Sequence, residues 1–267
     1  MSASRPRCSV AVVTHGRHPL LPLLLEQFDR QSYPARELVI LDDSPQPATW
    51  LADLGRPDVV YRHLPARLSV GAKRNRILDD LRGELVCQWD DDDYYAPDYL
   101  ATAARHLAEV DFVKLDRWYV YDLGRDDLSY WDTRQPLPGL PPAAAADWTA
   151  RNQLGYGFCF AYRRTVLEQV RSPDTSVGDD YEFARRVRER GFSMRLLPDQ
   201  QGLVLHLVHG GNLSRCFPNR RLVPAFLGAL FPGFSLSRYQ EALRQIASGP
   251  GPDRDGPLAP PGHPVVG

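Results

Sequence analysis

An apolar run, Leu85-Val86-Cys87-Gln88-Trp89, ends in four consecutive aspartates, Asp90 to Asp93. These two segments constrain the fold more than any other part of the chain. The run reads as a buried strand, so the acidic cluster lies where the chain leaves a sheet. Like charges at one strand end repel, and burying them unpaired costs several kcal/mol or shifts their pKa values. A divalent cation removes that cost. Carboxylate oxygens are the usual ligands of magnesium and manganese, commonly one or two together with substrate phosphates. In an extended segment Asp90 and Asp92 point to one side, Asp91 and Asp93 to the other. The competing account is a solvated acidic turn ahead of a helix starting near Pro97. An EF-hand loop does not fit, because the sixth position from Asp90 is Tyr95 rather than Gly and the twelfth is Ala101 rather than Glu.

Strand-like runs at 9–14, 37–41, 59–63 and 85–89 alternate with helix-like segments at 20–31, 71–81 and 97–109, and 112–121 reads as extended. This order predicts an α/β fold of βαβ units with a mostly parallel, Rossmann-like central sheet flanked by helices. Ligands of such sheets bind outside the carboxyl ends of the strands. Thr14, Asp43 and Asp90 to Asp93 all fall at those ends, so separate strands deliver polar groups to one edge. Further on, 158–163, 194–197 and 203–208 read as strands, and 164–170, 179–190 and 235–247 as helices, the second stopped by Gly191. Residues 134–146, rich in Pro and Ala, read as a loop, and loops of that length are often functional. From Ser248 onward Pro and Gly dominate, which predicts a disordered tail over 248–267. No internal repeat is present.

The 267 residues suit one large α/β domain or two small ones. Thirty-two basic residues balance 33 acidic ones, and the net charge of −1 favours neither nucleic acid nor an anionic membrane as a partner through bulk charge. Cys8, Cys87 and Cys159 sit in apolar runs and are expected to be buried free thiols, and no CxxC pair suggests zinc. The first seven residues contain two arginines but lead into no apolar stretch of signal-peptide length, and no run approaches a membrane helix. A reducing cytoplasm is the expected location.

Several short motifs, in order, resemble family 2 glycosyltransferases of the GT-A fold. Cys8 to Thr14 looks like that family's opening strand, and Val39-Ile40-Leu41-Asp42-Asp43-Ser44 like its second strand and acidic turn. Gly71-Ala72-Lys73-Arg74-Asn75 resembles its basic helix start. Trp89 to Asp93 with Pro97 resembles its DxD motif with the trailing proline. Gly157 to Arg164 resembles the strand ending in a Tyr-Arg-Arg turn, and Gly178-Asp179-Asp180 with Phe183 and Arg186 the segment supplying the base. The resemblance runs from about Cys8 to His209. It implies one GT-A domain over 1–247, with a nucleotide-sugar half at 8–120 and a smaller acceptor half at 121–247.

The resemblance also implies roles. Thr14 and Asp43 would hold the nucleoside of a nucleotide-sugar donor, with Asp43 on the base. Asp92 would bind the Mn2+ or Mg2+ that bridges the diphosphate, with Asp90 and Asp91 close to it and to the ribose or sugar. Asp180 would be the general base that activates an acceptor hydroxyl, with inversion at the anomeric carbon and no covalent intermediate. The base segment reads Asp-Asp where the family has Glu-Asp, so Asp179 stays open as the base. Arg67, Lys73 and Arg74 could add positive charge near the diphosphate, or be a solvated basic face. Of His206 and His209, which face opposite sides of a strand, His209 beside Gly210-Gly211 is the expected neighbour of the metal. Trp118, Tyr119, Trp131 and Trp148 are expected in the core, the alternative being that one of them lines the acceptor site. The 134–146 loop is expected to order over donor or acceptor.

The Gln-x-x-Arg-Trp motif and membrane helices of the family's processive synthases are missing from the sequence, which favours a non-processive hexosyltransferase. A UDP-sugar is the first expectation for the donor, with thymine or guanine nucleotides possible, and the acceptor is a glycan end, a lipid-linked intermediate, a peptide or a small natural product. Two alternatives stand beside this reading. A sugar nucleotidyltransferase would carry a Gly-rich N-terminal signature, which Thr14-His15-Gly16-Arg17-His18-Pro19 does not match well. A silent sugar-nucleotide or carbohydrate-binding module would not need Asp92 and Asp180 together.

Overall fold

The apolar runs are strands because both faces of the sheet are covered. Along β1 (Cys8–Thr14), Cys8, Val10 and Val12 enter one core while Ala11 and Val13 face the other. β2 (Arg36–Asp42) divides the same way, with Leu38 and Ile40 against Val39 and Leu41. A strand buried on both faces is a continuous apolar run, without polar alternation. The first core is closed by α1 (Leu21–Asp29) and α4 (Tyr99–Leu107), the second by α6 (Arg164–Gln169) and α7 (Asp179–Glu189). The computed structural model describes residues 5–248; the predicted tail, apart from Ser248, lies outside the described residues.

Between these elements come α2 (Thr49–Ala52), β3 (Val59–His63), α3 (Val70–Arg76), β4 (Leu85–Trp89) and the short β5 (Tyr94–Tyr95). Strands pair in the order β3-β2-β1-β4, all parallel. The order reverses between β1 and β4, and open α/β sheets bind ligands at such a switch point. Thr14 and Asp90 flank that point.

Beyond β4 the sheet becomes mixed. The long β6 (Phe112–Asp122) pairs through its first half with β8 (Ala161–Arg163) and β9 (Met194–Pro198). Its second half pairs with β7 (Asp127–Asp132) and β10 (Val204–Val208). The register shifts between Leu115 and Arg117, a bulge that curls the sheet around the site. β11 (Arg220–Arg221) extends β7, followed by α8 (Phe226–Leu230) and α9 (Leu236–Ser248). α9 packs on the opening segment, and Tyr239 donates to the Asp93 carbonyl at 2.9 Å.

Four expectations are corrected. Residues 134–146 are not a single loop, because α5 (Pro142–Leu154) begins inside them. Pro142 takes the first helical turn, where proline is pre-organised, and the alanines that follow are strong helix formers. The strand expected over 158–163 survives only as β8, since Gly157–Cys159 forms a 3₁₀ turn. The helix expected over 71–81 changes to a 3₁₀ turn after Arg76. The helix expected from Pro97 begins at Tyr99. All four cysteines are free, with Cys8, Cys87 and Cys159 buried as expected. No helix among the described residues is long and apolar enough to cross a membrane.

Candidate active site

β4 stops at Trp89 and the chain turns at once, so the aspartates do not continue the strand. The alternation expected of an extended segment is therefore absent, and each carboxylate finds its own partners. Asp90 lies 3.8 Å from Arg74. Asp91 accepts from the Thr14 hydroxyl and, at 2.9 Å, from Arg17. Asp92 accepts from the same Arg17 nitrogen at 2.6 Å and lies 3.0 Å from His209 Nε2. Asp93 accepts from the Leu207 N–H at 2.9 Å and sits 2.9 Å from His206 Nδ1. The turn is braced from below. Trp89 stacks on Tyr95 at 4.1 Å, and the Tyr95 hydroxyl accepts from the Asp90 N–H while donating to the Phe158 carbonyl.

Carboxylate oxygens of Asp90, Asp92 and Asp93 lie within 4.8 Å of one another. Both oxygens of Asp93 are already engaged by β10, so Asp93 acts as a tether between the turn and that strand. Asp90 and Asp92 keep capacity, and two hard oxygen donors suit Mg2+ or Mn2+ that also holds phosphates. Burial, with the charges of its three neighbours, pushes the Asp90 carboxyl up to about 7 against the pull of Arg74. Burial also works to raise Asp92, but Arg17 and His209 hold it below the usual carboxylate range. A carboxyl raised in the folded state contributes stability below its unfolded pKa and loses it as the pH climbs through the folded value. For Asp90 that window runs from the ordinary carboxylate range up to about 7.

A second acidic pair faces the turn across one guanidinium. Arg74, on α3, is buried and donates to Asp179 at 2.6 Å and to Asp180, both at the start of α7. Asp179 is buried, whereas the Asp180 side chain keeps 18% of its surface exposed. Gly157 makes the arrangement possible: a Cβ there would overlap Asp180 Oδ1 and come within 2.8 Å of Arg74. Its neighbour Tyr156 takes a left-handed conformation at φ 68°, strain of the kind that clusters at functional sites.

Asp43, at the end of β2, is buried and bound by Lys73 Nζ at 2.8 Å, the Leu68 N–H at 2.8 Å and His15 Nδ1 at 3.0 Å. Burial opposes its charge, yet these bonds hold its carboxyl at about 2. Lys73 also donates to the Thr14 carbonyl, so it ties β1 to β2 rather than facing outward. Arg67 is exposed on the loop just before Leu68. Trp118 and Trp131 are fully buried and meet edge to face at 5.1 Å, so both belong to the core; Tyr119 is also buried, and Trp148 is half-buried against Trp131. Thus Thr14, Asp90, Asp91, Asp92 and His209 converge at the switch point, Asp179 and Asp180 adjoin it through Arg74, and Asp43 with Lys73 forms its β2 side.

Arg17 is the residue that the sequence did not single out. It bridges Asp91 and Asp92 and donates to the Gly211 carbonyl at 2.7 Å, closing the site from two loops at once. Its only signal was its position three residues after the end of β1.

The curled sheet, with the acidic turn at its switch point, has the GT-A fold of the solved structures on which it superposes. A family model described as glycosyl transferase family 2 matches residues 9–171, and the chain belongs to that family. The Bacillus subtilis (strain 168) protein YwdF, described as an uncharacterized glycosyltransferase, is 28% identical over 112 residues, which is 41% of each chain. The Escherichia coli (strain K12) protein described as "Putative colanic acid biosynthesis glycosyl transferase WcaA" is 25% identical over 214 residues, 78% of this chain and 75% of that one. Among solved structures, S. aureus TarS 1-349 superposes with a TM-score of 0.58 at 20% identity, over 75% of this chain and 60% of that one. The mannosyltransferase PcManGT from Pyrobaculum calidifontis, in complex with GDP-Man and Mn2+, gives 0.57 at 19% identity, over 92% and 76%. These structural likenesses concern the fold.

Proposed function

We propose that this glycosyltransferase is metal-dependent, inverting and non-processive, moving one sugar from a nucleotide-sugar, first a UDP-sugar, to an acceptor hydroxyl. The observation that carries this reading is the pairing of two acidic centres at the switch point. Asp90 and Asp92 form one and Asp179 and Asp180 the other, with Arg74 between them. Asp90 and Asp92, with His209 beside Asp92, would hold Mn2+ or Mg2+, whose chemistry is Lewis-acid neutralisation of the charge that develops on the leaving diphosphate. Complexes of fold neighbours with GDP-Man and Mn2+ and with UDP-GlcNAc support a nucleotide-sugar donor.

Asp180 is the more exposed of its pair and serves as general base. It takes the proton of the acceptor hydroxyl as that oxygen attacks the anomeric carbon from the face opposite the diphosphate. The bond from that carbon to the diphosphate oxygen breaks, and the nucleoside diphosphate leaves. Arg74 holds Asp180 in place through a charge-assisted hydrogen bond. Thr14 and Asp43, the latter fixed by Lys73, line the β1 and β2 side where the nucleoside would lie, with Asp91 and Arg67 at its margins. Four free cysteines suit a reducing cytoplasm.

Incubating the protein with Mn2+ and a panel of nucleotide-sugars, and following release of nucleoside diphosphate, tests the reading. Release from one donor, abolished by chelator, is expected, with the opposite anomer in the transferred sugar by NMR. Pyrophosphate release from a nucleoside triphosphate would indicate a nucleotidyltransferase instead. No turnover of any donor would favour a binding module.

A further inference from the structure

Seven large apolar side chains are exposed among the described residues, and four of them, Leu213, Phe217, Val223 and Phe226, lie within one short stretch. Leu213 is 64% exposed, Val223 59% and Phe226 55%. The fold holds this stretch out rather than leaving it loose. Its backbone pairs with β7 through β11, Asn219 grips both backbone groups of Asp132, and the Tyr156 hydroxyl donates to the Arg215 carbonyl. Apolar side chains displayed on a tethered backbone mark an interaction surface.

The charge around them is one-sided. From Gln200 to Gln240 the chain has no Asp or Glu but carries Arg215, Arg220, Arg221 and Arg238. Arg221 is paired with Asp127 and Arg238 with Glu26. Carboxylates on the elements packed beside the patch are also taken, Asp132 by Arg134 and Asp147 by Arg151. Among the described residues, Arg215 and Arg220 have no such partner, so the patch is locally cationic in a chain whose net charge is −1. It also borders the active site, since Leu213 follows Asn212, whose amide reaches Asp92 at 3.5 Å.

We propose that this surface seats the enzyme reversibly on an anionic lipid bilayer. Leu213, Val223 and Phe226 enter the interface while Arg215 and Arg220 meet the headgroups, the combination by which peripheral proteins bind such surfaces. Docking there turns the acceptor side of the site towards the membrane, so the acceptor is presented from the bilayer. Presentation of the acceptor rests on the transfer reading; the docking does not.

Flotation of the full-length protein with vesicles of equal parts phosphatidylglycerol and phosphatidylcholine tests the docking. The protein is expected to float with these vesicles, to stay behind with pure phosphatidylcholine, and to be released by high salt. Leu213→Ser with Phe226→Ser, and separately Arg215→Gln with Arg220→Gln, are each expected to weaken binding about tenfold, the equivalent of about 1.4 kcal/mol. Both double variants should keep the wild-type thermal shift with nucleotide and Mn2+, which separates loss of docking from loss of the site. Absence of flotation on anionic vesicles, or equal flotation of the variants, overturns the proposal. So does a lipid-free dimer in sedimentation that the Leu213/Phe226 variant abolishes, because the surface then belongs to a second copy.

Discussion

Asp180→Asn is expected to lower kcat by about 100- to 10,000-fold, the range for loss of a general base, while leaving nucleotide and Mn2+ binding intact. Asparagine keeps the shape and cannot take the acceptor proton. Asp180 lies next to Arg74 and stays partly exposed, so the change removes a proton acceptor without opening a cavity. Asp179→Asn is expected to act differently, because the Asp179 carboxylate is buried against Arg74 and its neutralisation disturbs packing before chemistry. Steady-state kinetics with the donor that the nucleotide-sugar panel selects distinguish the two. Near-wild-type kcat in Asp180→Asn, with collapse in Asp179→Asn, would move the base by one residue.

Arg74→Met is expected to destabilise the fold by about 3–5 kcal/mol, the usual cost of stranding buried charges. Arg74 is 8% exposed, and its guanidinium faces Asp179, Asp180 and Asp90. Desolvation opposes its charge, yet Asp179 and Asp90 keep its pKa raised, so the guanidinium stays charged in its buried position. Removing it leaves three carboxylates with no shared cation. In a chain of this size the loss corresponds to a fall in Tm of about 10 °C. Arg74→Lys should recover part of it, because a lysine restores the charge but not the two-pronged geometry. A melting temperature within about 1 °C of wild type would show that water already screens this cluster.

Much of this architecture was legible because β1, β2 and β4 are buried on both faces, so each stands out as an apolar run with polar groups at its end. The switch point followed from their order, and with it the place of Thr14 and the aspartates. Less legible was what each aspartate touches. Asp93 meets His206 and Leu207, more than a hundred residues away in sequence, a pairing that no local pattern encodes. Arg17 escaped for the same reason, since its partners come from the turn after β4 and the loop after β10. α5 was hidden by Pro138, Pro141 and Pro142, which read as a loop until Pro142 is placed in a first helical turn. β7 was missed because both its faces are partly covered and Leu128 and Trp131 do not alternate cleanly.

The most direct test of a cation-dependent donor site at the four-aspartate turn is a thermal-shift titration of Mn2+ with nucleoside diphosphates. Ligands that bind only the native state raise Tm by mass action. One nucleotide with Mn2+ is expected to raise the Tm of the wild type at about pH 8 and less at about pH 5, where protons compete for the carboxylates. The pH dependence follows from Asp90, whose carboxyl titrates near 7 without a cation. Chelator and Asp92→Asn should each abolish the shift. An equal shift in Asp92→Asn, or one that survives chelation, would contradict a cation site at this turn.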